Sequence, residues 1–305
     1  MSFKTSIGGQ AVMEGIAMKG PRLTCLAVRQ PDGSIHTEIT ETDKNPFKKI
    51  PLLRGVWAMY LALKSGYSYI MKSTDIAFPD GEEEDRFDRW LKEHFGEKTN
   101  QALGVFSAVL AGFLSIALFV LLPTAVTGLL ARFLPIGGFK TLIEGVLKIA
   151  VFLTYISLVS RMKEIKRVFM YHGAEHKTIF CYEHGKPLSV ENVRPESRFH
   201  PRCGTSFLLV VVLVSILVNA TVRVSNPFAR VGCHLLLLPV VVGISYEINR
   251  WCGLHDNKLS AVLSAPGKWL QRITTNEPDD SMIECAIRAM ELVIPEMEGS
   301  DAWGQ

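Results

Sequence analysis

Long apolar runs alternate with charged and polar stretches along the chain. Residues 103–122 form a run of twenty residues without a charge, which as a helix crosses a hydrocarbon core of about 30 Å. Three further apolar runs follow, at 141–160, 206–220 and 231–248. Glu144 and Lys148 interrupt the second run, but their i,i+4 spacing lets them pair on one helix face. The pattern predicts four transmembrane helices, in pairs within 103–160 and 206–248.

The polar stretches between these runs also have an internal pattern. They cover 1–102, 161–205 and 249–305. Within the first, 25–29 and 35–40 flank a Pro31-Asp32-Gly33 turn, which predicts a β-hairpin. The predicted fold class is therefore a mainly α polytopic membrane protein with about four transmembrane helices, a small N-terminal β-hairpin element and cytosolic helices.

Residues 51–72 are long enough to suggest another span, but Arg54 and Lys64 interrupt them. An amphipathic helix lying in the membrane interface is the favoured interpretation, with Trp57 and the tyrosines of the segment at the level of the headgroups.

Two further helices are predicted from shorter signals. The acidic segment 79–99 places apolar residues on one helical stripe, which is typical of ordinary packing. Near the C-terminus, Ser281 and Glu284 form a capping box before an apolar run.

Lysine and arginine are unevenly distributed among the loops, and their distribution predicts an orientation. The segment 161–205 carries nine of them, whereas the loops within each pair of spans carry two. Because positively charged loops stay in the cytoplasm, this segment is expected there. An even number of spans then puts both termini on the cytosolic side.

Composition excludes several classes of protein. Hydrophobic residues make up 48% and mean hydropathy is +0.20, so the chain is too apolar to be disordered. The net charge of +3 gives no indication of a nucleic-acid partner, and the lipid membrane is the partner expected. The six scattered cysteines do not form a disulfide scaffold, and no secretory signal peptide opens the chain. Reduced thiols or metal ligands are therefore expected.

Histidines and a cysteine form a pattern typical of metal ligands between the second and third apolar runs. His172 and His176 lie one helical turn apart on the same face, with Glu175 beside them. This H-x-x-E-H order is the reverse of the zinc-binding H-E-x-x-H order. His200 and Cys203 form a second chelating pair. The pattern predicts a Zn²⁺ site with His172, His176 and Cys203 as the first ligands, then His200, and with Glu175 as ligand or base.

Each of these residues has a simpler interpretation when it is taken alone. A lone histidine near a membrane is more often an interfacial hydrogen-bonding side chain, and a lone cysteine is more often a small hydrophobe. Half of the eight histidines, however, fall within 29 residues, at His172, His176, His184 and His200. The clustering favours a metal site, although His184 has no partner at chelating spacing and is left out.

Two other stretches carry groups of interest. The glycine-rich GGQAVMEG at 8–15 is neither a Walker loop nor a dinucleotide fingerprint, and a tight turn leading to the hairpin is the favoured interpretation. Glu247, near the end of the fourth run, either pairs with Arg250 or reaches the metal region.

The motifs together resemble those of the YqhQ-like bacterial membrane proteins, a family of unknown function. The most specific matches are HGAEHKT at 172–178 and HPRCGTSF at 200–207, with GGQAVMEG at 8–15 and LPVVVGISYE at 238–247 in support. The resemblance implies a multi-span protein of the inner membrane with a metal centre, since the family is often labelled a predicted metal-dependent enzyme. It implies no particular reaction.

Several functions remain open. A metal-dependent hydrolase at the cytoplasmic membrane surface would use Glu175 as the base and Arg202 to stabilise developing negative charge. If His200 and Cys203 both bind, the site is closed like a structural zinc knuckle, which is typical of a scaffold or accessory factor of a membrane complex. A transporter and a Cys203 nucleophile activated by a histidine are the remaining alternatives.

Overall fold

The computed structural model describes residues 3–79, 98–135, 139–222, 224, 227–255, 257–297 and 299–303. The apolar stripe predicted within 79–99 lies outside the described residues. The chain divides into two compact units. The first comprises Met1–Pro79, Ile156–Val214 and Leu238–Gln305, and the second comprises Asp80–Tyr155 and Ser215–Leu237.

An antiparallel sheet forms the N-terminal part of the first unit. Its strands, in both spatial and chain order, are β1 (Gly8–Val12), β2 (Gly15–Lys19), β3 (Leu23–Arg29) and β4 (Ile35–Glu41). The predicted hairpin is confirmed as β3 and β4, and Gly33 in its turn has a φ of 85°, a conformation that favours glycine. The glycine-rich segment 8–15 contributes β1 and the turn into β2, so the predicted hairpin is half of the sheet.

The described helices follow the sheet along the chain. They are α1 (Leu53–Ala77), α2 (Lys98–Ile116), a π-helical turn (Ala117–Leu121), α3 (Leu122–Phe133), α4 (Lys140–Val159), α5 (Lys163–Glu183), α6 (Val190–Val193), α7 (Gly204–Ala220), α8 (Pro227–Leu254), α9 (Lys258–Thr274) and α10 (Asp280–Glu291).

Helices cover both faces of the sheet. On one face, Ile16 and Met18 of β2 share a buried apolar core with Tyr171 of α5 and Ile283 of α10. On the other face, Ala17 belongs to a second buried group that includes the end of α1. This alternation follows from the two-residue period of a strand. The helix α5, which carries the paired histidines, is thereby fixed against the sheet.

The cap of α10 differs from the predicted one. Asp279 is the N-cap residue, and its carboxylate accepts a hydrogen bond from the backbone N–H of Met282 at 3.0 Å. The Ser281 hydroxyl instead donates to Asp279 at 2.6 Å. Aspartate and serine cap helices about equally well, so the local pattern did not distinguish them. The apolar residues predicted behind the cap, including Ile283 and Met290, are buried.

Among the described residues, three helices are long and apolar enough to cross a membrane, fewer than the four predicted. They are Val109–Phe133, Lys140–Val159 and Gly232–Leu254. The remaining predicted span lies in α7, whose 17 residues rise about 25 Å, less than the hydrocarbon thickness of about 30 Å. Its apolar composition suggested a span, but its length falls short.

The ionisable pair predicted in the second span is present in α4. Lys148 Nζ lies 3.1 Å from Glu144 Oε1, and the Thr124 hydroxyl lies 3.1 Å from the same oxygen. The buried carboxylate therefore has two donors, which reduces the free-energy cost of keeping its charge away from water.

The segment predicted to be an interfacial helix forms part of α1, which is not among the candidate spans. Its first turn packs against α8, where Arg54 and the backbone N–H of Leu52 both donate to the Glu247 carboxylate. Glu247 thus pairs with Arg54, and the charge of Arg250, its predicted partner, adds a smaller favourable interaction. The outer face of α1 exposes Tyr60, Leu63, Tyr67 and Ile70.

Candidate metal centre

The two histidines of α5 lie on a helix whose rotation is fixed by its core contacts. Tyr171 and Ala174 are buried in the apolar core beneath the sheet. His172 and His176 face the segment that leads into α7, and their ring centroids are 4.4 Å apart. The predicted one-turn spacing therefore brings both imidazoles to one place.

Cys203 completes a group of three metal-ligating side chains. His172 Nε2 lies 3.2 Å from Cys203 Sγ. One ligand atom from each of His172, His176 and Cys203 lies within 4.8 Å of the other two, and all three side chains are buried. Ligands of a tetrahedral zinc ion are separated by about 3.5 Å, so small movements bring these atoms to coordination distance.

Backbone carbonyls orient both imidazoles. The Nδ1 of His172 lies 2.8 Å from the Thr274 carbonyl oxygen, and the Nδ1 of His176 lies 2.6 Å from that of Arg198. A carbonyl oxygen can only accept, so each Nδ1 carries the hydrogen of this bond, and Nε2 is the ring nitrogen left to face a metal. Metal-ligating histidines are held in this way by an outer partner. Among the described residues, the Nε2 of His176 has no hydrogen-bond partner.

The surroundings of Cys203 favour the thiolate, the form that binds metals. The Thr205 backbone N–H donates to its sulfur at 3.3 Å, and the Thr205 hydroxyl lies 3.1 Å away. Burial on its own raises the pKa of Cys203, but His172 and His176 hold this pKa well below its usual range. Burial on its own lowers the pKa of His172, but the Cys203 thiolate outweighs it and raises this pKa to about 9.

Glu175 is buried next to the three ligands. Its Oε1 accepts a hydrogen bond from the Gly9 N–H at 3.0 Å, whereas its Oε2 has no partner among the described residues. Burial raises the pKa of this carboxyl, although His172 and His176 partly offset the effect. A Cβ at position 9 would lie 2.8 Å from the Glu175 carboxyl carbon. Glycine at this position therefore lets β1 approach the carboxylate.

The structure does not bring His200 or Arg202 into the group of ligands. His200 Nε2 lies 3.6 Å from Glu183 Oε2, and the Arg202 guanidinium pairs with the same carboxylate and stacks on Trp303. Both side chains turn towards Glu183 because it offers them a buried negative charge. Both side chains thus contact Glu183 in this structure, and the predictions of His200 as a ligand and of Arg202 as an anion stabiliser stay predictions.

Gln271 holds the backbone that presents Cys203, a role that the sequence did not indicate. Its side-chain oxygen accepts from the His200 N–H at 2.8 Å, and its amide donates to the His200 carbonyl at 2.7 Å. A second amide contact reaches the Ser206 hydroxyl at 2.8 Å. Gln271 and Thr274 belong to the motif QRITTNEP, and the polar residues of this motif were the sequence feature from which such a role could have been predicted.

The donor set fits zinc better than it fits a hard cation. Two imidazole nitrogens and a thiolate are ligands that Zn²⁺ prefers, whereas Mg²⁺ and Ca²⁺ prefer oxygen. The fit also rests on the Nε2 of His176, a buried ring nitrogen that has no hydrogen-bond partner among the described residues and belongs to this close group.

We expect Gly173→Ala to destabilise the site-bearing helix. A Cβ at this position would overlap the backbone carbonyl oxygen of Asn276. The Asn276 backbone cannot easily move away, because its N–H donates to the Phe169 carbonyl oxygen at 2.8 Å. Overpacking of this kind costs about 1–3 kcal/mol, which lowers the Tm of the purified protein in detergent. Gly8→Ala is the control, because a Cβ there meets nothing within 4 Å. An unchanged Tm for Gly173→Ala contradicts the close packing.

Comparison with known proteins relates most of the chain to one family. The family described as "Protein of unknown function (DUF1385)" matches residues 50–296, a range that includes all three candidate ligands. The "Uncharacterized protein YqhQ" of Bacillus subtilis (strain 168) is 37% identical over 287 residues, which are 92% of this chain and 90% of the relative. No solved structure matches the chain. The chain is therefore a member of the DUF1385 family.

Proposed function

We propose that this protein is a zinc-dependent hydrolase that acts at the cytoplasmic surface of a bacterial membrane. The observation that carries the proposal is the grouping of three ligand atoms beside a buried carboxylate oxygen that has no described partner. Catalytic zinc sites keep three protein ligands and one open position, whereas structural sites close with four. A set of two histidines and one cysteine matches the catalytic pattern.

The residues around the ligands have defined tasks in this proposal. The bound metal supplies Lewis-acid chemistry, which polarises a carbonyl or phosphoryl group and lowers the pKa of water towards about 7. Glu175 accepts a proton from this water on Oε2. The Gly9 N–H donates to its other oxygen and fixes the orientation of the carboxylate. Arg202 receives no catalytic task, because Glu183 engages its guanidinium.

Burial supports a second candidate function, a structural zinc knuckle in a scaffold or accessory factor of a membrane protein complex. The side chains of His172, Glu175, His176 and Cys203 are all buried. A structural ion here would link α5 to the start of α7, and the site would need no path for a substrate. His200 would supply the fourth donor, since its ring centroid is 5.5 Å from that of His176.

The placement at the cytoplasmic surface has its own support. The nine basic residues of 161–205 favour the cytoplasm for the segment that carries the ligands. A backbone bridge between Thr5 and Ala302 holds the first and last described segments side by side, so both lie on the same side of the membrane. A return to the same side takes an even number of crossings. We therefore propose that α7 completes a fourth crossing, with local thinning of the bilayer.

The test is the metal content of the detergent-purified protein, followed by X-ray absorption to identify the ligands. For the hydrolase we expect about one zinc per chain, bound by three protein ligands and one light oxygen donor. Removal of the metal with a chelator should abolish hydrolysis of a panel of chromogenic esters and phosphoesters, and added zinc should restore it.

The other outcomes distinguish the two functions. A zinc ion closed by four nitrogen and sulfur ligands supports the knuckle and contradicts the hydrolase. A protein that contains no metal, and takes up none when zinc is added, contradicts both. Cys203 is then tested as a free thiol.

A further inference from the structure

The helix α9 exposes an apolar stripe that no described part of the chain covers. Its most exposed apolar side chains are Leu259, Val262, Leu263 and Trp269, with exposed fractions of 57%, 67%, 39% and 48%. At 100° per residue these four positions fall within about 120° of the helix circumference. The stripe runs along α9 rather than around it, so it can lie flat on an apolar surface.

The inner face of α9 is occupied by contacts with the candidate metal centre. Gln271 binds the backbone of His200, and the Thr274 carbonyl accepts from His172. Gly267 packs so closely on Ser206 that a Cβ there would overlap its side chain. The packed face lies beside the stripe, about 90° around the helix from it, and leaves the stripe exposed on the outside of the unit.

Basic residues flank the stripe on one side. Lys258, Lys268 and Arg272 are exposed and lie in the arc next to the apolar residues. An apolar face bordered by lysine and arginine, with a tryptophan in the stripe, is the composition of helices that lie in the headgroup region of a bilayer.

The position of α9 in the chain indicates which surface it meets. The candidate span Gly232–Leu254 ends only three residues before α9 begins at Lys258. A connection of this length reaches at most about 14 Å, so α9 starts close to the end of the span and hence to the bilayer surface. Asn257 and Ser260 form a capping box that stops the span from continuing into α9 and starts a new helix there.

We propose that α9 is an interfacial helix that lies in the headgroup region of the bilayer crossed by α8, with the stripe Leu259–Val262–Leu263–Trp269 in the acyl-chain boundary. The basic residues contact lipid phosphates. Because the face of α9 beside the stripe holds Gln271 and Thr274 against the candidate metal centre, this contact places that centre close to the lipid surface. The proposal does not depend on whether a metal is bound.

The test uses the full chain in vesicles of phosphatidylcholine and phosphatidylglycerol, with bromine on the phosphatidylcholine chains either near the headgroup or near the methyl end. The emission of Trp269 is obtained by subtracting the fluorescence emission of the Trp269→Phe variant from that of the wild type. We expect this emission to be quenched strongly by bromine near the headgroup and weakly by bromine near the methyl end. Trp303→Phe gives the matched control, because Trp303 packs on Arg202 and Gly253 and should not respond to brominated lipid.

Two variants on neighbouring positions test the orientation of the helix. Val262→Asp, in the stripe, should reduce the quenching and shift the Trp269 emission to the red. Ala261→Asp, one residue earlier on the exposed basic side, should leave both unchanged. Equal effects of the two substitutions overturn the proposed orientation.

The remaining outcomes contradict the proposal outright. Trp269 emission that responds to aqueous acrylamide and not to brominated lipid shows that the stripe faces water. Emission that responds to neither quencher shows that protein covers the stripe, for example a second copy of the chain.

Discussion

Replacing Cys203 with serine is expected to remove zinc from the purified protein. The thiolate is the ligand with the highest affinity for zinc in the group, and a serine hydroxyl at the same position remains protonated near neutral pH. Loss of an outer-sphere partner alone weakens metal sites by about 10–100-fold, so loss of this direct ligand should exceed about 100-fold. The measurement is zinc stoichiometry and affinity by elemental analysis and competition with a chelator.

Cys181→Ser provides the matched control for this prediction. Cys181 is also buried and lies on α5, but its sulfur contacts the carbonyl oxygens of Lys186 and Pro187 and does not belong to the group of three candidate ligands. The control should bind zinc with the affinity of the wild type. Unchanged affinity in Cys203→Ser removes Cys203 from the ligands and with it the proposed centre.

Glu175→Gln is expected to keep the metal and the fold while abolishing hydrolysis. The glutamine oxygen can still accept from the Gly9 N–H, so the local contact survives, but an amide cannot take up a proton as a carboxylate does. Loss of a general base typically lowers the rate by about 10²–10⁴-fold. The measurement is the rate on the chromogenic panel together with zinc content and Tm.

Glu196→Gln tests whether the loss is specific to the site. Glu196 is another buried carboxylate, but it is paired with His184 and Lys186 and touches none of the proposed ligands. This variant should retain the hydrolytic rate even if its Tm falls. Loss of zinc from Glu175→Gln argues that Glu175 supports the ligands and contradicts its role as base. A full rate in that variant contradicts the role as well.

Local signals predicted the elements whose identity depends on a few neighbouring residues. Alternation around Pro31-Asp32-Gly33 predicted β3 and β4, because a turn of this kind restricts the chain to few conformations. The i,i+4 spacing predicted that His172 and His176 share a face of α5.

Tertiary contacts decided the features that the sequence did not reveal. Strand β1 has two glycines and little apolar character. Its contact with the candidate site, in which the Gly9 N–H donates to Glu175, is seen only in the tertiary structure. His200 has suitable spacing to Cys203, and in the structure its ring lies beside the buried Glu183 carboxylate of α5. Spacing along the chain constrains which side chains can meet, but the charges around each side chain determine which of them do.

The assignment of spans was limited for a related reason. Composition identified all the apolar runs, yet α7 has the highest apolar content and the shortest length of the four. Its ability to cross depends on bilayer thickness and on the helices beside it, neither of which the sequence specifies.

The order in which the sheet acquires its partners has a consequence for biosynthesis. The strands β1–β4 leave the ribosome first, but the apolar side chains that cover them come from α5 and α10, near the middle and the end of the chain. A backbone bridge between Thr5 and Ala302 then joins the two ends. The nascent sheet therefore keeps one apolar face open while the intervening apolar helices are made, and during this interval that face is exposed to aggregation.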